Sequence, residues 1–157
     1  MDKIPMTPEG FARLEEELKR LRTEERPAVI RAIADAREHG DLAENAEYHA
    51  ARERQSFIEG RLAELEDIIS RAQVIDAASL SGDVVRFGAT VMLCDEDTEE
   101  ESSFQLVGSY EADASQGKLS VTSPLGRALI GKRLGDMVEV TTPRGHKSYE
   151  LLRIAYP

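Results

Sequence analysis

The chain has no tryptophan, one cysteine, three histidines, and only four tyrosines and four phenylalanines among 157 residues. So few aromatics are a poor supply for one thick core and suit helices that pack along a single stripe. The lone Cys94 excludes an internal disulfide and fits a reducing compartment; within ATVMLC it reads as a small apolar strand residue. His39, His49 and His146 do not stand with it in zinc-ligand spacing. No apolar run approaches a membrane span and no basic-then-apolar leader opens the chain, so a cytoplasmic location without membrane association is expected. A basic excess is also missing. The net charge is -10, and it divides evenly, with 12 Lys/Arg against 17 Asp/Glu over 1–75 and 8 against 13 over 76–157. A free-standing nucleic-acid binder needs the opposite balance, so any contact with DNA or RNA must be local or guided by another protein.

What is present divides into two periods. In the first half, Thr7 is a candidate N-cap and Pro8 suits the first helical position. Phe11, Leu14, Leu18, Leu21, Val29, Ile30, Ile33 and Ala36 then recur at three- and four-residue steps, predicting a helix from about Pro8 to about His39. An interior proline removes a backbone hydrogen bond, so Pro27 predicts a bend. Tyr48, Ala51, Gln55, Ile58, Leu62, Leu65, Ile69 and Ala72 form a second, heptad-like seam with one polar break at Gln55. Only a short turn separates the helices, which makes them antiparallel neighbours, each roughly 45 Å long at about 1.5 Å per residue.

From Val84 onward the period becomes two, in VVRFGATVML, ESSFQLVGS, GKLSVTSP, DMVEVTTP and SYELLRIAY, with a short helix in SPLGRALIGKR. The expected class is α+β: an N-terminal long antiparallel coiled-coil hairpin over 1–76, a linker over 77–83 and a small C-terminal antiparallel α+β domain over 84–157.

The turn HGDLAEN sits at the tip of the hairpin. Asp41 and Glu44 have the spacing of a capping box, which predicts Asp41 as the N-cap of the second helix. The same carboxylates are hard oxygen ligands acceptable to Mg²⁺, but two exposed ligands cannot hold it tightly without a partner supplying the rest. Both readings stand on the residues alone. Arg31, Arg37, Arg52 and Arg54 surround this end. They can pair with Asp35, Glu38 and Glu53 on solvated faces or guide a nucleic-acid backbone. Tyr48 reads as seam packing.

In IPMTPEGFARLEEEL, AREHGDLAENAEYHAAR, AQVID, VRFGATV, SPLGRALIGK and GDMVEV, in order across almost the whole chain, the sequence resembles the bacterial Gre-type transcript cleavage factors. The resemblance implies a coiled coil followed by a domain similar to FK506-binding proteins. It implies a monomeric factor that is not itself an enzyme and that acts on backtracked RNA polymerase. Its globular domain docks on the β′ subunit beside the secondary channel, and the hairpin enters that channel. Asp41 and Glu44 match the family's acidic tip residues, which help hold the second Mg²⁺ of the polymerase while the 3′ end of nascent RNA is cleaved. Arg37 and Arg52 match basic positions near that RNA end. Ser123, Pro124, Arg127, Gly131 and Lys132 match the segment implicated in docking. A non-cleaving secondary-channel regulator is the alternative, against which intact Asp41 and Glu44 count. A peptidyl-prolyl isomerase is a further one, which fold alone does not support.

Overall fold

The computed structural model describes residues 2–40 and 45–157. Its packing divides into two units, one formed by Phe11–Ala72, the other by Lys3–Gly10 together with Gln73–Pro157. The segment Lys3–Gly10, which the sequence pattern attaches to the hairpin, thus packs with the globular residues.

In the first unit, α1 (Pro8–Arg20), a π-helical turn (Leu21–Glu25) and α2 (Arg26–Arg37) follow one another as one helical arm, and α3 (Ala46–Ser70) is the other. Thr7 begins the first arm as expected, its hydroxyl accepting the Gly10 N–H at 3.0 Å. Pro27 does not end the arm: Glu25 and Arg26 keep right-handed helical dihedrals, and Arg26 N–H reaches back to Leu21 O. The wider π turn just ahead of the proline is where the helical ladder absorbs the missing donor and the bulk of the ring.

Leu14, Leu21, Val29, Ile33 and Ala36 are buried on the first arm, and Ile58, Leu62, Leu65 and Ile68 on α3. Two positions depart from the periodic reading. Ile30 is 52% exposed, and Ile68 takes the seam place expected of Ile69. Along the seam's edges, guanidinium–carboxylate pairs join the arms: Arg61–Glu17 (2.7 Å), Arg54–Glu25 (2.6 Å), Arg26–Glu59 (2.7 Å) and Arg22–Glu66 (2.6 Å). In each row the index rises on one arm as it falls on the other, which fixes the antiparallel register. Arg61 and Arg26 each present two donors to one carboxylate, the fork geometry that lysine cannot offer.

In the second unit, β3 (Thr90–Asp95), β4 (Glu101–Val107), β5 (Lys118–Ser120), β6 (Met137–Thr142) and β7 (Gly145–Ala155) form one sheet in the order β5-β4-β3-β7-β6. The pairings are antiparallel except at the edge, where β5 runs parallel to β4. This corrects the all-antiparallel expectation: the chain between them turns back through a 3₁₀ turn at Ala114–Gln116 and a left-handed Gly117 (φ 69°), so β5 enters in β4's direction. The core gathers Val91 and Leu93 from β3, Leu106 from β4, Val138 and Val140 from β6 and Leu151 from β7, with Val85, Ala89 and Leu129. Alternating burial along β3 and β6 is what a period of two dictates for a sheet with one covered face.

A small second sheet pairs β1 (Ile4–Met6) with β2 (Ala72–Val74). Its end is secured by the buried Glu111. That carboxylate accepts the Thr7 N–H (3.0 Å), the Thr7 hydroxyl and the Gly108 N–H (2.8 Å). A Cβ on Gly10 would lie 2.0 Å from a Glu111 carboxylate oxygen, so only glycine lets the first helical turn come so close.

Candidate functional site

Asp41 and Glu44 lie outside the described residues, but the elements flanking them define what the tip requires. Helix α2 ends at Arg37, and Gly40 follows with φ +111°. Helix α3 begins at Ala46, and its N-cap is Asn45, whose side-chain oxygen accepts the Tyr48 N–H at 3.0 Å. The Asn45 amide also donates to Ala36 O at 2.6 Å, tying the end of one arm to the start of the other. This overturns the expectation that Asp41 caps the second helix. Asparagine caps as well as aspartate, and it adds donors that can serve the carbonyls left over at the end of α2.

Next to the cap, Tyr48 gathers two of the arginines. The guanidinium carbons of Arg37 and Arg52 both lie 5.9 Å from its ring centroid, and Arg52 donates to the Tyr48 hydroxyl at 3.0 Å. The side-chain donors of Arg37 first, then of Arg52, with their charges, hold the Tyr48 phenol below its ordinary pKa. Among the described residues neither guanidinium is paired with a carboxylate, while Arg54 pairs with Glu25 on the other arm rather than with Asp35, Glu38 or Glu53. Tyr48 is therefore a hub, not only seam packing. A groove of about 240 Å³ adjoins it, lined by Ile30, Ile33, Ala34, Arg37, Arg52 and Gln55, which gives the polar break in the heptads a place. Among the described residues no group of three or more His, Cys, Asp or Glu could hold a metal ion.

The residues expected to dock lie in the globular unit. Ser123 caps α4 (Pro124–Leu129), accepting the Gly126 N–H at 3.1 Å and donating to Ser120 O at 2.6 Å. A Cβ on Gly126 would lie 2.1 Å from that same carbonyl, so the helix can sit this close to the end of β5 only with glycine there. Ser123 and Pro124 line an apolar groove of about 250 Å³ with Leu119, Leu125, Val140 and Tyr149, rimmed by Arg144 and Lys147. Arg127 is exposed on α4; Gly131 (φ +85°) and Lys132 form the turn beyond it and do not line the groove. Arg144, Lys147 and Tyr149 were missed in the sequence, although the i, i+2 spacing of the last two on β7 is the available signal. Cys94 is half-buried in β3; burial, and then the carboxylates of Glu101 and Glu150, push its thiol up, away from reactive thiolate character.

Residues 4–74 match the family model described as "Transcription elongation factor, N-terminal", and residues 80–156 match "Transcription elongation factor, GreA/GreB, C-term". The chain is 64% identical over 156 residues to transcription elongation factor GreA of Rhodospirillum rubrum, and 65% identical to that of Beijerinckia indica. In both cases 99% of each chain is covered. Among solved structures it is similar to GreA factor homolog 1 of Thermus thermophilus, with 32% identity, coverage of 98% of this chain and 99% of that one, and a TM-score of 0.44. Among the described residues no helix is long and apolar enough to cross a membrane.

Proposed function

The chain belongs to the GreA/GreB family of transcription elongation factors, and from that premise we propose that it acts on backtracked bacterial RNA polymerase. It enters through the secondary channel and stimulates endonucleolytic removal of the 3′ end of the nascent RNA by the polymerase's own active site. The observation that carries this reading is the Asn45 cap. The N-cap of α3 is Asn45 and not Asp41, which supports reading the two acids of the GDLAE stretch, Asp41 and Glu44, as metal ligands.

These hard oxygen donors fit a shared Mg²⁺, which Asp41 and Glu44 would hold together with ligands from the polymerase. Bound there, the ion supplies Lewis-acid stabilisation of the charge that develops as a phosphodiester is displaced in line. Two carboxylates leave most of an octahedral shell to other ligands, so the free chain binds the ion weakly and cleaves no free RNA. Arg37 and Arg52 face the RNA phosphates. The globular unit docks on the β′ subunit through the groove at Ser123 and Pro124, and Arg127, Gly131 and Lys132 extend that surface. The groove's apolar bed and the Arg144 at its rim, on a chain of net charge -10, suit a partner segment that is apolar with an acidic flank, Lys147 being already paired with Asp95 (3.1 Å).

The test is a stalled, backtracked transcription complex carrying labelled RNA, with and without the protein. Shortening of the RNA from its 3′ end supports the reading. Binding that leaves the RNA intact would make the protein a non-cleaving regulator of the same channel.

A further inference from the structure

We propose that Tyr48 is a positioning residue that holds Arg37 and Arg52 together as one two-pronged grip for an RNA phosphodiester. This rests on the reading above, in which those arginines face RNA, and adds what makes two separate side chains act as one site. Tyr48 and Arg52 stand four residues apart on α3 and so share a face, while Arg37 closes α2 on the other arm. Both guanidinium carbons are 5.9 Å from the same ring centroid, within the range where the face of an aromatic ring attracts a cation. The phenol oxygen accepts a hydrogen bond from Arg52 at 3.0 Å.

Two like charges brought to one ring repel each other, and carboxylates are plentiful here, with Asp35, Glu38 and Glu53 nearby in sequence. Four other arginines of the hairpin, Arg22, Arg26, Arg54 and Arg61, do take carboxylates across the seam. A purely structural tie would have used an acid in the same way. A neutral ring instead orients the two guanidinium groups without a carboxylate partner among the described residues, and guanidinium forks match phosphate oxygens. The lowered pKa of the phenol reports the same convergence of donors on its oxygen.

The test measures cleavage rate against factor concentration on backtracked complexes, using the full-length protein and its Tyr48→Phe and Tyr48→Leu variants. Each is made with Arg37 and Arg52 intact and with both replaced by Ala. Tyr48→Leu should lower the saturated rate about tenfold, and Tyr48→Phe, which keeps the ring but loses the hydroxyl, about threefold. The half-saturating concentration should not move, because docking lies in the other unit. With both arginines already replaced, Tyr48→Leu should cost nothing further. A Tyr48→Leu loss of the same size without the arginines, or no loss with them, overturns the proposal. If the arginine replacements alone leave cleavage intact, the RNA-facing reading falls and this proposal with it. If they impair cleavage and Tyr48 does not matter, only this proposal falls. Should Tyr48→Leu lose helical circular dichroism, Tyr48→Phe decides, since its ring fills the same space.

Discussion

The hairpin and the globular unit are held together in different ways. The hairpin buries one row of aliphatic side chains per arm and surrounds it with exposed arginine–glutamate pairs, which water and salt screen so that each stabilises little. The globular unit encloses Leu93, Leu106, Leu129 and Leu151 completely and ties distant segments together with a buried carboxylate. A thin element tolerates surface change but has little stability to spend, whereas a thick one supports a shaped apolar groove. In the proposed function the chemistry sits on the first and the adhesion on the second, so substitutions in the two units should separate rate from affinity.

The largest effect expected from that contrast is at the tip. Asp41→Asn and Glu44→Gln keep much of the side-chain shape and remove the charge. Each should lower the saturated cleavage rate at least 10²-fold, about 2.7 kcal/mol in the barrier, while leaving polymerase binding unchanged. Near-parental cleavage by both folded variants would break the contrast.

Glu111→Ala comes second. It leaves the Thr7 amide and hydroxyl and the Gly108 amide without their acceptor, and should cost about 2 kcal/mol of globular-unit stability in urea unfolding. An unchanged midpoint would show that the buried carboxylate ties nothing.

Arg144→Glu, at the rim of the docking groove, should raise the half-saturating concentration about tenfold without altering the saturated rate. A fall in rate at saturation would mean that the two units do not divide the work.

Acid is the mildest probe. The hydrogen bond from Arg61 holds Glu17 below the ordinary carboxylate range, and that from Arg26 does the same for Glu59. Because the folded values lie below the unfolded ones, this stabilisation is fully present above the ordinary glutamate pKa of about 4.3 and is lost as pH falls through the folded values. The midpoint of hairpin melting should therefore drop below about pH 4, and Glu17→Gln should flatten that drop.

Much of this division could be read from the sequence, because each unit has a period. Leu62, Leu65 and Val29 follow helical steps, and Val91, Leu93, Val138 and Val140 follow alternation. What escaped depends on partners that spacing cannot reveal. Asn45 was hidden behind Asp41 and Glu44, whose spacing makes an equally good local cap. Glu111 meets Thr7 across 104 residues, a distance over which no periodicity speaks. The strands β1, β2 and β5 have three residues each, too few to show alternation. Tyr48 and Arg52 were visible as an i, i+4 pair, but the arrival of Arg37 from the other arm was not. At the candidate site the acids and arginines were legible as residue types; the reassigned cap and the shared ring were not.

The lodging of Lys3–Gly10 among the globular residues has a consequence for biosynthesis. The hairpin residues 11–72 are inserted between two segments of the globular unit, Lys3–Gly10 and Gln73–Pro157. A ribosome therefore emits both arms of the hairpin before most of the globular residues exist, and the opening strand must wait for β2 to emerge before it can pair. The hairpin can form co-translationally from neighbouring sequence, while the globular unit is complete only when β2 and Glu111 meet the earlier segment 3–10. A fragment cut at residue 77 would carry Glu111 without Thr7, so an independently expressed globular half needs residues 3–10 joined back to it by a short linker.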